Sequence, residues 1–179
     1  MTDNKHELLA QLEGLYVAQG LPTRRTPPGV AMPAETLWVI FEGFGRDDVP
    51  LDLGFFFVPL PPAATVDDVH ILQTMCELET TLTPDRVAGL YRMIGRINVN
   101  LPIGAFGLLE PTGTVFLKQN SLVDLRRPAR DNAILVDRHA GVMLHSLSLF
   151  ADALRDAANG VMTPDAALAG TTMAALFAT

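Results

Sequence analysis

The chain is poor in the residues on which most enzyme chemistry depends. Cysteine occurs once, at Cys76, which excludes an internal disulfide and any zinc or iron-sulfur site built on several thiolates, and suits a reducing compartment. Serine occurs only at Ser121, Ser146 and Ser148, and none stands in the Gly-x-Ser-x-Gly setting that exposes a hydrolase nucleophile. A Gly-Lys-Ser/Thr phosphate loop is missing. Gly43-Phe44-Gly45 lacks the third glycine of a dinucleotide fingerprint, and Asp47-Asp48 behind it would repel a pyrophosphate, so this stretch reads as a hairpin turn. Cations are the minority: 13 Lys and Arg against 20 Asp and Glu leave a formal charge of −7. Such a balance argues against a nucleic-acid partner, which needs clustered cations. Long apolar runs are also absent. The most apolar stretch, Leu53 to Val66, is interrupted by Pro59, Pro61 and Pro62 and falls short of the ~20 residues of a membrane helix. The opening residues, Met1 to Glu7, lack the basic-then-apolar order of a secretory signal. The expectation is a cytoplasmic protein without a membrane partner.

What the chain does have is apolar mass. Its 179 residues are 49% hydrophobic with a mean hydropathy of +0.25, enough for a well-buried core, and no linker or internal repeat divides it. One domain spanning 1–179 is expected, with a surface loop at 22–33 and a frayed tail at 170–179.

Leu8, Leu9, Leu12, Leu15 and Tyr16 recur at helical spacing, predicting an amphipathic helix that ends near Gly20. Arg24, Arg25, Pro27, Pro28 and Gly29 then suggest an irregular, locally basic loop from Pro22 to Pro33. Three strand-like runs follow: Leu37 to Phe44, Leu51 to Leu60 and Val69 to Leu78. In the second, Leu51, Leu53, Phe55 and Phe57 share one face by period-2 alternation, yet Phe56 and Val58 make the other face apolar too. The first run repeats this, with Trp38, Ile40 and Phe44 opposite Leu37, Val39 and Phe41. Both faces of such a sheet need cover.

Thr83-Pro84-Asp85 has the composition of a helix start, with threonine as the cap, and Pro102 enforces a stop after Val87, Leu90, Tyr91, Ile94 and Ile97. Ile103 to Leu109 and Thr114 to Val123 flank Glu110-Pro111-Thr112-Gly113 as a hairpin. The last long helix starts near Asp131 or Asn132, carries Val136, Ala140, Met143, Leu147, Phe150 and Leu154 on one stripe, and ends at Gly160. Leu135, Val142 and Leu149 form a second stripe roughly 120° away. Thr163-Pro164-Asp165 caps a short helix.

The polar side chains do not assemble a reactive centre by spacing. His70 and Cys76 share a strand face but lie ~20 Å apart along it, and His139 and His145 diverge around their helix. Each histidine is read as a surface or core-edge residue, Cys76 as a packing residue, and Glu77, Glu79 and Asp67-Asp68 as solvated acids. Arg24 and Arg25 with the Asp47-Asp48 turn are the least bland polar candidates for an enzyme. The chain is read as non-catalytic, with no metal and no cofactor.

The most distinctive run is Leu90 to Leu108, in which a helix leads through Asn98, Leu101-Pro102 and Gly104 to Phe106 on a strand. This run resembles the YbjN family of bacterial sensory-transduction regulators, and Gly160 to Ala169 resembles that family's tail. The likeness covers Phe55 to Ala169. It implies a fold similar to type III secretion chaperones, compact proteins that dimerise and hold partner proteins without catalysis. Independently of the family, Asn98 tolerates a helix end, Pro102 stops the helix and Gly104 permits close backbone approach.

Together these readings predict an α+β domain, α-β-β-β-α-β-β-α, whose antiparallel sheet is covered by helices on one face and by a partner on the other. The apolar surplus assigned to that interface is Trp38, Phe44, Phe56, Val58, Leu135, Val142 and Leu149. The predicted function is a protein-binding module, chaperone-like or regulatory, acting as a homodimer that buries ~800 Å² per protomer. The competing reading is a small-molecule sensor with Trp38, the phenylalanines and Met93 around an apolar pocket.

Overall fold

The computed structural model describes residues 2–29, 32–61 and 68–177, and side chains from residue 4 onward. Helix α1 (Thr2–Ala18) is followed by strands β1 (Thr23–Thr26), β2 (Thr36–Phe44), β3 (Val49–Phe57) and β4 (Val69–Leu78). Helix α2 (Val87–Asn98), strands β5 (Ala105–Leu109) and β6 (Thr114–Asp124), and helices α3 (Ala129–Asn159) and α4 (Pro164–Ala169) complete the order. The six strands form one sheet, β1-β2-β3-β4-β6-β5, and every neighbouring pair is antiparallel. The expected α+β class with an antiparallel sheet is therefore what the chain adopts.

Two parts of the expected outline change. The stretch 22–33, read as a loop, holds β1, whose Arg24 and Arg25 pair with Trp38 and Leu37 of β2. The prolines that argued for a loop begin only at Pro27, so they end this short edge strand without preventing it. The tail expected to fray is docked as far as Phe177, which is 8% exposed. Its ring meets Phe150 edge-on at 6.0 Å, and its carbonyl accepts a hydrogen bond from Arg96 at 2.8 Å. Residues 178–179 lie outside the described residues.

Alternation along the strands sorts the sheet into two faces. Leu37 and Val39, Leu53 and Phe55, Leu72 and Cys76, and Val115 and Leu117 all point to one side and are at most 1% exposed. Against them pack Leu8 and Leu12 of α1, Met93 and Ile97 of α2, and the predicted α3 stripe from Val136 to Leu154. At 31 residues, α3 is about 46 Å long. It runs past α1 and β6 and stops at Gly160, which takes a left-handed φ of 74°. Burying these side chains is the dominant stabilising term, at roughly 25 cal/mol per Å² of apolar surface.

The polar punctuation is mixed. Thr163 caps α4 as read, accepting from the Ala166 N–H at 3.3 Å. Thr83 does not cap: its hydroxyl bonds the Asp85 carboxylate, and a single 3₁₀ turn, Pro84–Arg86, leads into α2. The Asn98 amide reaches across the α2–β5 connection, donating to the Phe106 carbonyl at 3.0 Å and accepting from the Phe106 N–H at 2.8 Å. At the β2–β3 tip, Arg46 donates to both oxygens of Asp156 on α3 at 3.2 and 3.0 Å, and its backbone N–H meets Asp152 at 3.0 Å. The Asp47-Asp48 turn thus sits against α3, at the opposite end of β2 from Arg24 and Arg25.

Candidate functional site

The outer face of the sheet follows from the same alternation. It carries Trp38 and Ile40 of β2, Phe56 of β3, Ile71 and Met75 of β4, and Phe116 and Leu122 of β6, in the register that pairs Trp38 with Gly54 and Ile71 with Leu122. None of these belongs to the buried core cluster. Two rings lie flat on glycines of the neighbouring strand. A Cβ on Gly54 would come within 2.8 Å of the Trp38 ring, and one on Gly107 within 2.3 Å of Phe116. The indole N–H of Trp38 reaches the Thr26 hydroxyl at 3.1 Å. The glycines therefore let two large aromatics become low plates rather than ridges, and Leu122 stands clear at 69% exposed.

The seven residues assigned to a partner surface do not form one patch. Trp38 is half-buried on the outer face, and Phe56 shares that face but is only 9% exposed. Phe44 and Leu149 are turned into the protein's own core, packed against its buried cluster. Leu135 and Val142 are exposed, at 40% and 39%, but they stand on α3, across the sheet from Trp38. Val58 lies beyond the end of β3 and lines a cavity instead. Ile71, Met75, Phe116 and Leu122 were not singled out from the sequence, although the period-2 spacing of each pair within its strand carried the signal.

That cavity, about 610 Å³, opens where β3 ends and β4 begins. Leu9, Phe57 and Val58 form part of its wall, and Pro27, Pro28, Pro33 and Pro59 stiffen the rim. Lys5, His6, Arg25, Glu35 and His70 supply its polar groups. Of the lining predicted for a pocket, only a phenylalanine, Phe57, is found here: Met93 is 1% exposed in the core, and Trp38 faces away on the other side of the sheet.

Electrostatics divides the cavity's polar groups in two. Arg25 bridges Glu13 and Glu35, each at 2.9 Å, and His6 contacts Glu35 at 3.2 Å. Burial alone would raise the Glu35 carboxyl, but the hydrogen bonds from His6 and Arg25 outweigh it and hold the group below its ordinary range. Lys5 makes no ion pair among the described residues, and its ammonium rests 5.2 Å from the Phe57 ring centre. His70 is 8% exposed, its Nε2 has no partner among the described residues, and its ring meets Phe57 edge-on at 6.2 Å. Burial first, and the Lys5 charge second, lower its pKa below 6.5.

Other polar groups are arranged as packing. Ser121 bonds His139 at 2.9 Å, tying β6 to α3, and at 2% exposed its hydroxyl is shut away from solvent. Cys76 is buried, and desolvation pushes its thiol up to about 12. Among the described residues no group of three or more His, Cys, Asp or Glu is placed to hold a metal, and no helix is long and apolar enough to cross a membrane. No family model matches the chain, and neither does any curated protein or solved structure.

Proposed function

We propose that the chain is a non-catalytic, cytoplasmic protein-binding module, chaperone-like or regulatory, that pairs with a second copy of itself through the outer face of its sheet. The observation that carries this reading is the one-sided layering: three long helices cover one face, while Ile71, Met75, Phe116 and Leu122 remain outside the core on the other.

Charge and area favour a second copy as the occupant. Across the outer strand positions Arg24 and Lys118 balance Asp52 and Glu77, and Asp124 at the end of β6 is paired with Arg126, so this face is close to neutral on a chain of net charge −7. Two copies meet there with the least repulsion. Four strands roughly 30 Å long and two edge strands of about half that length, spaced about 4.8 Å apart, offer on the order of 700 Å², close to the ~800 Å² that each partner contributes to an ordinary interface. The flat seating of Trp38 and Phe116 makes the face smooth enough for sheet-to-sheet packing. The YbjN-like run from Leu90 to Leu108 belongs to the same reading, because dimerisation and partner binding are what that resemblance implies.

Light scattering tests the pairing. At tens of micromolar the chain is expected to have twice its 19.3 kDa mass, and Leu122→Glu, which places a charge on an already exposed position, is expected to return it to the single mass. A wild-type protein that stays at 19.3 kDa under those conditions overturns the proposal.

A further inference from the structure

The cavity beside α1 has no part in sheet-to-sheet pairing, and its chemistry points to a separate ligand. Its volume, about 610 Å³, falls in the range of small-molecule sites, roughly 300–1,000 Å³. Leu9, Phe57 and Val58 give it apolar walls, and the prolines of its rim lose little freedom when a guest is held between them.

The polar groups not already engaged decide what that guest must offer. The acids at the Arg25 rim are occupied: Glu13 accepts from Arg25 and Thr23, and Glu35 from Arg25 and His6, while Asp68, whose charge is felt by His70, lies outside the lining. The donors are not. Lys5 carries three N–H groups and, among the described residues, an unpaired charge over the face of Phe57, while His70 stands at the edge of the same ring, 8% exposed and with its Nε2 unpartnered among the described residues. A buried polar nitrogen without a partner is rare in folded proteins. A cationic guest would meet Lys5 with no free acid in the lining to receive it, and a wholly apolar guest would leave both donors unanswered. An anionic oxygen on an apolar body answers both, at one end of a greasy pocket where charge-assisted hydrogen bonds are strong.

We infer that this cavity binds a small organic carboxylate, its carboxyl group between Lys5 and His70 on the Phe57 ring and its apolar body along Leu9 and Val58. Arg25 and Glu35 act as positioning residues that hold the rim. The neutral His70 ring donates its one N–H to the ligand, and Lys5 supplies the charge.

Decanoate and the uncharged 1-decanol serve as probes, followed in the amide spectrum of the full chain, because Trp38 lies on the other side of the sheet and is a poor reporter. Decanoate is expected to bind saturably, shifting the amides of Lys5, Leu9, Phe57 and Val58, with decanol weaker by roughly tenfold or more. Lys5→Met keeps the side-chain stem and is expected to remove the preference for decanoate while leaving decanol unchanged. His70→Phe, which keeps the ring and deletes its nitrogens, is expected to weaken decanoate alone. Absence of saturable decanoate binding, equal affinity for decanol, or shifts centred on Met75, Phe116 and Leu122 would each overturn the assignment. If Lys5→Met does not fold, the comparison of the two probes on the wild-type protein decides alone.

Discussion

At the residue scale, Asn98 shows how a position chosen for its resemblance can be explained by geometry. Its amide satisfies the N–H and the carbonyl of Phe106 together, so it fastens the end of α2 to the start of β5. Gly104 completes that connection at a φ of 77°, where a Cβ would press on the Lys118 carbonyl at 3.0 Å. Asn98→Ala leaves two backbone groups without their partner, and a loss of about 2 kcal/mol is expected in urea unfolding. Cys76 makes the opposite kind of prediction. Its thiol, pushed up to about 12 by burial, carries almost no thiolate near neutral pH. Modification by a disulfide reagent is expected to proceed only at the rate of global unfolding, and rapid labelling of the folded protein would contradict the described packing. The structural roles of Asn98 and Gly104 were legible because each residue type has a narrow set of backbone uses. The role of His70 was not, because its significance comes from neighbours on α1 and β3, and a sequence does not state who those neighbours are.

At the element scale, strong periodicity was readable and weak punctuation was not. The α3 stripe from Val136 to Leu154 is buried throughout, since six apolar residues at alternating three and four spacing leave a helix only one way to dock. The second stripe misled: Leu149 is packed against the core while Leu135 and Val142 face solvent, because what covers a helix face comes from other elements and not from the helix's own spacing. Strand β1 escaped notice for a similar reason. Four residues, Thr-Arg-Arg-Thr, have no apolar pattern of their own. They extend because Arg25 finds Glu13 and Glu35 on one side and Arg24 finds Asp52 on the other. His70, at the start of β4, gives this region a pH signature. Its folded pKa lies below the ordinary 6.5, so the unfolded chain takes the proton first. Stability from this source is complete above pH 6.5 and declines as pH falls from there toward the folded value. The Glu35 carboxyl acts only below its ordinary 4.5, so the window between the two reports on His70. Urea midpoints are expected to fall between pH 7 and 5.5, and His70→Phe is expected to flatten that slope. Equal slopes in both proteins would remove His70 as its source.

At the scale of the whole molecule, the expected class and the imbalance between one covered and one uncovered sheet face could be read from the two-sided apolar strands. Which side chains make the uncovered face could not. Phe56 lies on it yet is nearly hidden, Phe44 turns inward, and Val58 belongs to a cavity formed by segments far apart in sequence. Pattern gives a side chain's parity but not how far its neighbours reach. Strand β3 draws a final consequence from this ambiguity. Phe55, Phe56 and Phe57 make the end of β3 apolar on both sides and give it no preferred alignment; Asp52 and Gly54 supply one, because a one-position slip would turn the carboxylate into the core and take the glycine from beneath the Trp38 ring. The grip of Arg46 on Asp156, together with Gly45 at a φ of 78° beside Asp152, anchors the ribbon at its other end. Arg46→Ala leaves the Asp156 carboxylate, 7% exposed, without that partner, and a loss of about 1–3 kcal/mol is expected in urea unfolding while Leu53 and Phe55 keep single amide signals. In this protein one carboxylate and one glycine act as the frame markers of a strand whose last residues could be read in either phase.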